Sequence, residues 1–298
     1  MKILLFGKNG QVGRRLCNIL TDEADLIALG SSDVDLKNAS ILAAKIKEIK
    51  PDVIINAAAY TAVDAAEIDQ EGAMAVNAIA PKIMAEIAKE IGALLVHYST
   101  DYVFDGTKAT PYTEDDVPSP INFYGYSKAS GDEFIRSSGC KYLIIRTSWV
   151  YDSQGKNFFK TILSLAKKNK TINVVDDQIG SPTMASLIAD ATILILYKTL
   201  SSKENLCGIY NLVSRGYVSW YEFASYILES AEKAGINLEC KSSALKAIAS
   251  SEYKTAAVRP SSSMLDISKI CEKFGVTVFS WQQYVHEVIE ELKEMEQI

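Results

Sequence analysis

Histidine is nearly absent. His97 and His286 are the only two in 298 residues, and neither stands in an HExxH sequence. That excludes the common zinc-protease pattern, and the lack of GxxxxGK[ST] and GxSxG sequences removes the phosphate-loop NTPases and the serine hydrolases. Cysteine is sparse and odd in number: Cys17, Cys140, Cys207, Cys240 and Cys271 never form a CxxC pair. A disulfide framework and a zinc ribbon are both disfavoured, and a reducing cytosol fits. No stretch approaches about 18 uncharged apolar residues. The apolar run at 3–6 is too short for the core of a secretory signal, so we expect a cytoplasmic protein with no membrane partner. Positive charge is also in deficit. With 31 Lys+Arg against 37 Asp+Glu, the net charge of -6 offers no overall attraction to nucleic acid or anionic lipid, so any anionic ligand must be held by local groups.

What is present is apolar and periodic. Hydrophobic residues make up 48% of the chain, enough for one large core or a nucleotide-binding domain with a smaller lobe. Short apolar runs at 2–6, 25–29, 53–58, 94–98 and 143–147 alternate with helical spacing at 11–20, 40–49, 73–91 and 123–135. Nearly continuous apolar strands separated by helices predict an α/β fold, a Rossmann-like doubly wound parallel sheet. Asn77 and Pro81 predict a break inside the third helical stretch. Beyond residue 151 the pattern loosens, with helices expected at 158–168, 185–200, 220–232 and 282–295 and strands at 172–175 and 209–213. The expected division is a nucleotide-binding domain over 1–150, with returns near 177–214 and 260–280, and a discontinuous substrate lobe drawn mainly from 151–298.

Gly7, Gly10 and Gly13 follow the first strand in GxxGxxG spacing and lead into a helix. An ordinary glycine turn can look the same. Between a strand and a helix, however, glycines let the backbone approach a pyrophosphate that the helix N-terminus then binds, so NADPH or NADH is the expected cofactor. The second strand runs into Gly30, Ser31 and Ser32 with no carboxylate before Asp33. Nothing there repels a 2′-phosphate, and NADPH is expected to serve at least as well as NADH.

Tyr124 and Lys128 lie four apart, on one face of a helix. With 15 tyrosines and 31 Lys+Arg such a pair arises by chance about once or twice, and Tyr142 with Arg146 is a second example. Context separates them: Ser99, Thr100 and Asp101 end the fourth strand, at the sheet edge where ligands of open α/β folds bind. A phenol with a pKa near 10 is a poor acid at neutral pH, and an adjacent ammonium together with the positive nicotinamide of an oxidised cofactor is expected to lower that value. Tyr124 could then exchange a proton with a substrate oxygen that Thr100 also contacts.

Together, the glycine triplet, the run Asn56 to Ala59, the run Ser99 to Phe104 and the Tyr124/Lys128 pair resemble the extended short-chain dehydrogenase/reductases. The segments MKILLFGKNGQVG, NAAAYTAVDAAE, HYSTDYVFDG, RTSWVY, DDQIGSPT and RPSSSMLD are similar, across nearly the whole chain, to the dTDP-4-dehydrorhamnose reductase family. The resemblance implies an NAD(P)H-dependent oxidoreductase that reduces the C4 ketone of a dTDP-linked keto sugar. It implies Tyr124 as proton donor, Lys128 as its partner and cofactor ribose ligand, and Thr100 as the tuning hydroxyl. Gly10, Gln11 and Val12 would hold the pyrophosphate, Asp35 and Leu36 the adenosine side, and Ala59, Tyr60 and Thr61 the middle of the cofactor. Thr100, Asp101 and Trp149 would face the sugar, with Arg259 on its diphosphate. Trp149 could instead be a core aromatic, and Arg259 a loop ion pair. Gly30 stands where some relatives carry an acidic residue. Arg14 and Arg15 begin a helix where some carry a glutamate that helps bind a dimer-bridging magnesium, so no metal is expected. The oligomeric state stays open, with a homodimer as the candidate. Two other readings remain: a nucleotide-sugar epimerase or dehydratase, and a non-catalytic regulatory relative such as the β subunit of methionine adenosyltransferase.

Overall fold

The computed structural model describes residues 1–295. Six strands form the central sheet: β1 (Lys2–Phe6), β2 (Asp25–Leu29), β3 (Val53–Asn56), β4 (Leu94–Thr100), β5 (Lys141–Thr147) and β6 (Gly208–Asn211). Their order is β6-β5-β4-β3-β1-β2, and every pairing is parallel. Successive side chains of a strand point to opposite faces, and here both faces are covered. Ile3, Leu5, Val53, Ile55, Val96 and Leu143 join one core cluster, while Leu4, Phe6, Ile54, Leu95 and Ile144 join another across the sheet. This is why the strands read as unbroken apolar runs. It is a doubly wound, Rossmann-like sheet.

Helix α1 (Gln11–Glu23) buries Leu16 and Leu20 on one side of the sheet, against the helix Ala185–Ser201. On the other side α2 (Ala39–Ile49) and α3 (Ala80–Ile91) bury Leu42, Ile46, Met84 and Ala88. The chain moves outward from β1 to β2, then returns to place β3 on the opposite flank of β1. The loops leaving β1 and β3 diverge there, and a crevice opens between them at the carboxyl ends of the strands.

The break expected at Asn77 and Pro81 is a change of helical register rather than an interruption. An α-helical turn at Gln70–Met74 passes into a π-helical turn at Ala75–Ile79 and then into α3, with Ala80 N–H donating to Ala75 O. Pro81 falls in the first turn of α3, where the ladder changes spacing and its missing donor costs little.

Beyond Tyr151, the helices Phe158–Ala166, Trp220–Lys233 and Trp281–Glu294 pack around Tyr151, Phe159, Phe223 and Trp281. A two-stranded parallel ladder, Ile172–Val175 with Leu245–Ile248, lies beside them. These side chains belong to the same apolar cluster as Ile3 and Leu16, so one core runs from the sheet into the lobe. β6 returns to the sheet edge from within this part of the chain, before the helix Trp220–Lys233. The final helix ends at Glu294, and 296–298, the last part of the expected substrate lobe, lie outside the described residues.

Candidate active site

The crevice opens into a cavity of about 650 Å³ at the carboxyl edge of the sheet. Its floor is the turn after β1. Gly7 adopts φ +88 there, and a Cβ on it would lie 2.6 Å from the Ala57 carbonyl carbon, so no other residue lets the turn approach β3 this closely. Gly10 N–H donates to Gly7 O at 2.9 Å and forms the N-cap of α1 without any side-chain cap. The first N–H groups of α1 are left for a ligand, with the positive end of the helix dipole behind them. The Gln11 side chain is already committed, donating to Val150 O at 3.2 Å and accepting from Asn157 Nδ2 at 2.9 Å. Its backbone N–H is therefore the group it can offer. Gly13 stands behind this turn, where a Cβ would overlap the Gly7 carbonyl oxygen.

Gly7, Gly10, Gln11, Val12, Gly30, Asp35, Leu36, Ala59, Tyr60, Thr61, Tyr124 and Lys128 all line the cavity. Asn9, Arg14, Ser99 and Lys156 do as well, and none of these had been assigned a ligand role.

Tyr124 and Lys128 lie on α4 (Phe123–Ser138), whose N-cap Asn122 accepts from Gly125 N at 2.8 Å. Burial pushes the Tyr124 phenol up to about 12, with the adjoining Thr100 hydroxyl pulling weakly the other way. The expected lowering by the neighbouring ammonium does not occur in this structure. Lys128 points past the phenol toward β4, donating to Tyr98 O at 2.6 Å and lying 3.1 Å from His97 Nε2. Burial brings Lys128 down to about 8, opposed by Asp132. A raised pKa keeps the proton on Tyr124 but makes the phenol a weaker acid, so donation in a reduction depends on groups that stabilise the phenolate it leaves.

Thr100 Oγ1 donates to Asp101 Oδ1 at 2.9 Å and accepts from Tyr102 N at 3.2 Å. Asp101 is buried, and burial raises its carboxyl to about 6 against the opposing hydroxyls of Ser263 and Thr100. Trp149 and Arg259 stand apart from the cavity lining. The Trp149 ring stacks on Trp220 with centroids 3.5 Å apart, and its backbone holds φ 45. Arg259 forms an end-on pair with Asp64, at 2.7 Å from Nη2 to Oδ2 and 3.2 Å from Nη1 to Oδ1. Its Nε edge faces away from that carboxylate and keeps donors for an anion.

Two groups were invisible to motif reading. Asn77, turned inward by the π turn, accepts from Tyr60 N at 2.8 Å and donates to Tyr60 O at 3.0 Å and Ser127 Oγ at 3.0 Å. It clamps the loop that lines the middle of the cavity, and nothing local in the sequence links positions 17 apart. The second is the buried set beneath Lys128: His97, Asp132 and Arg146, with Ser99 Oγ donating to Asp132 at 2.7 Å. The scarcity of histidine and the place of His97 on the strand leading to Thr100 were the available signals. Arg15, at the position of the expected metal departure, donates from Nε to Asp152 Oδ2 at 3.1 Å and pairs with Glu291. Among the described residues no group of three or more His, Cys, Asp or Glu could hold a metal ion.

With this geometry in hand, the model of the RmlD substrate binding domain family matches residues 1–294. The chain belongs to that family. Within the RmlD family it is 42% identical over 296 residues to dTDP-4-dehydrorhamnose reductase of Shigella flexneri, covering 98% of both chains. The structure of the dTDP-4-dehydrorhamnose reductase ortholog from Clostridium acetobutylicum superposes with a TM-score of 0.90 at 34% identity, covering 98% of this chain and 100% of that one. That of Bacillus anthracis, in complex with NADP, has a TM-score of 0.88 at 34% identity and covers 97% and 99%. Like these relatives, this RmlD family member is a nicotinamide-dependent oxidoreductase. No described helix is long and apolar enough to cross a membrane.

Proposed function

We propose that this protein reduces the C4 ketone of dTDP-4-dehydro-β-L-rhamnose to the alcohol of dTDP-β-L-rhamnose, the last step of dTDP-L-rhamnose formation. The observation that carries this reading is the protonated Tyr124 phenol beside Thr100, in the same cavity as the uncapped N-terminus of α1. The open helix N-terminus and the bare Gly7 turn fit a dinucleotide diphosphate, with Gln11 and Val12 offering backbone N–H groups. Asp35 and Leu36 would border the adenosine, and Ala59, Tyr60 and Thr61 the middle of the cofactor. When bound, the reduced nicotinamide supplies the hydride for C4. Tyr124 gives its proton to the ketone oxygen, and Thr100, turning its hydroxyl hydrogen from Asp101 Oδ1, donates to the same atom. Lys128, below its pKa of about 8, keeps a positive charge near the phenolate that Tyr124 becomes.

The sugar nucleotide would lie against a lobe drawn mainly from 151–298, with 1–150 and the returns near 177–214 and 260–280 carrying the cofactor. Trp149 supports this reading: φ 45 is a costly conformation for a bulky residue, and the stack on Trp220 holds it there. Arg259 would meet the diphosphate through its Nε edge. Five scattered free cysteines suit a reducing, cytoplasmic compartment, and a homodimer is the candidate assembly.

The test couples the dehydratase and epimerase that generate the unstable keto sugar to this protein and follows NADPH absorbance and the sugar product. We expect dTDP-rhamnose, and a truncated sugar lacking the nucleotide should lose kcat as well as gain KM, because remote contacts orient the ketone. No dTDP-rhamnose with active upstream enzymes would overturn the assignment.

A further inference from the structure

The adenosine end of the crevice holds an arrangement that hydride transfer does not require. A Cβ on Gly30 would lie 2.8 Å from Asn9 Nδ2 and 3.5 Å from Lys8 Cε. The space from which a strand-end carboxylate would reach the ribose is thus taken by an amide donor and the stem of a cation. The nearest carboxylate, Asp33, is held back from that position, because Gly30 N–H donates to its Oδ2 at 2.8 Å. The same oxygen lies 2.7 Å from Lys8 Nζ. Asn9, Gly30 and Ser31 line the cavity, and the Ser31 side chain is exposed at its rim.

We propose that Lys8, Asn9 and Ser31 form the site for the 2′-phosphate of NADP(H), and that Asp33 is its built-in competitor, tethering Lys8 until a phosphate draws it away. The inference rests on the cofactor reading above and assigns the residues that set cofactor choice. A ribose phosphate is a dianionic group with three acceptor oxygens, and the three side chains supply an ammonium, an amide N–H and a hydroxyl. The lysine head sits on a flexible four-carbon stem and can turn from one anion to the other. Lys8 and Asp33 are each 35% exposed, so water and salt screen their pairing and the tether is weak. With NADH the tether remains closed, and the ribose 2′-hydroxyl meets neither a repelling nor an obligatory charge. One pair of side chains therefore admits both cofactors while favouring the phosphorylated one.

The test is direct calorimetric binding of NADP+, NAD+, 2′,5′-ADP and 5′-AMP to the purified full chain, at low and high salt, for the unaltered protein, Lys8→Ala and Asp33→Asn. Lys8→Ala should raise the Kd for NADP+ and 2′,5′-ADP about tenfold or more and leave NAD+ and 5′-AMP within about twofold. Asp33→Asn should tighten NADP+ about threefold to tenfold with NAD+ again little changed, since Lys8 is then released. The preference of the unaltered protein for NADP+ should shrink as salt rises. Equal effects of Lys8→Ala on phosphorylated and unphosphorylated nucleotides, or an unmoved NADP+/NAD+ ratio in Asp33→Asn, would overturn the site. No keto sugar takes part, so that outcome leaves the reductase reading intact, whereas an unaltered protein binding neither dinucleotide would overturn the reductase reading itself.

Discussion

Lys128 Nζ lies 3.1 Å from His97 Nε2, and the opposite nitrogen of that imidazole lies 3.1 Å from Asn56 Nδ2. Asn56 Oδ1 accepts from Ala58 N at 3.2 Å, which places the amide NH2 toward His97. Nδ1 then accepts, and Nε2 carries the hydrogen and faces the lysine. An ammonium cannot accept that hydrogen, so the contact is favourable only when Lys128 is the neutral amine. Burial already brings Lys128 down to about 8, with Asp132 opposing.

The pH dependence of reduction follows from that pair. Lys128 is charged below about 8, and its charge stabilises the phenolate left by Tyr124, so kcat/KM should fall as pH rises through that value. Asp132→Asn removes the group that opposes the shift and should move the break to lower pH. A profile flat from pH 7 to about 9 would separate Lys128 from catalysis. Stability runs the opposite way. Between about 8 and the ordinary 10.5 the unfolded chain still binds a proton that the folded chain has released, so folding stability should rise with pH in that window.

Tyr124→Phe keeps the ring that packs edge-on against Tyr102 at 5.9 Å but has no transferable proton. Turnover should drop roughly 10²- to 10⁴-fold while cofactor affinity holds. Retention of more than about a tenth of kcat would remove Tyr124 as the acid.

Asn77→Ala frees both backbone groups of Tyr60 and leaves Ser127 Oγ without its donor. We expect a loss of about 1–3 kcal/mol in denaturant unfolding and a raised cofactor KM. Asn77→Asp keeps only the accepting oxygen and should recover part of each effect.

Arg259→Ala removes the proposed diphosphate contact and the ion pair with Asp64, which keeps its bond from Ala257 N at 3.0 Å. The KM for the sugar nucleotide should rise more than the KM for NADPH. Equal increases would reassign Arg259 to loop structure alone.

Gly7→Ala should fail at the level of folding and cofactor binding together. The residue sits at φ +88, and the added methyl would lie 2.6 Å from the Ala57 carbonyl carbon just past β3, on a residue whose N–H is bonded to Phe6 O at 3.0 Å. A Tm within about 2 °C of the unaltered protein would show that the turn can relax.

The sequence by itself determined the parallel sheet and the glycine turn, because both are local: apolar runs declare strands buried on two faces, and the glycines stand within seven residues of one another. It also brought Tyr124 and Lys128 onto one helix face, since spacing along a helix is a property of the chain alone. Tertiary structure decided what those groups are chemically. The phenol is pushed up and the ammonium is pulled down because α4 presses both against β4, an environment set by residues far apart in the chain. The clamp of Asn77 on Tyr60 depends on a π turn whose register no local propensity encodes. The Lys8–Asp33 tether exists only because β1 and β2 end side by side. Burial and long-range hydrogen bonds govern pKa values and ligand contacts, and neither exists until the strands are paired.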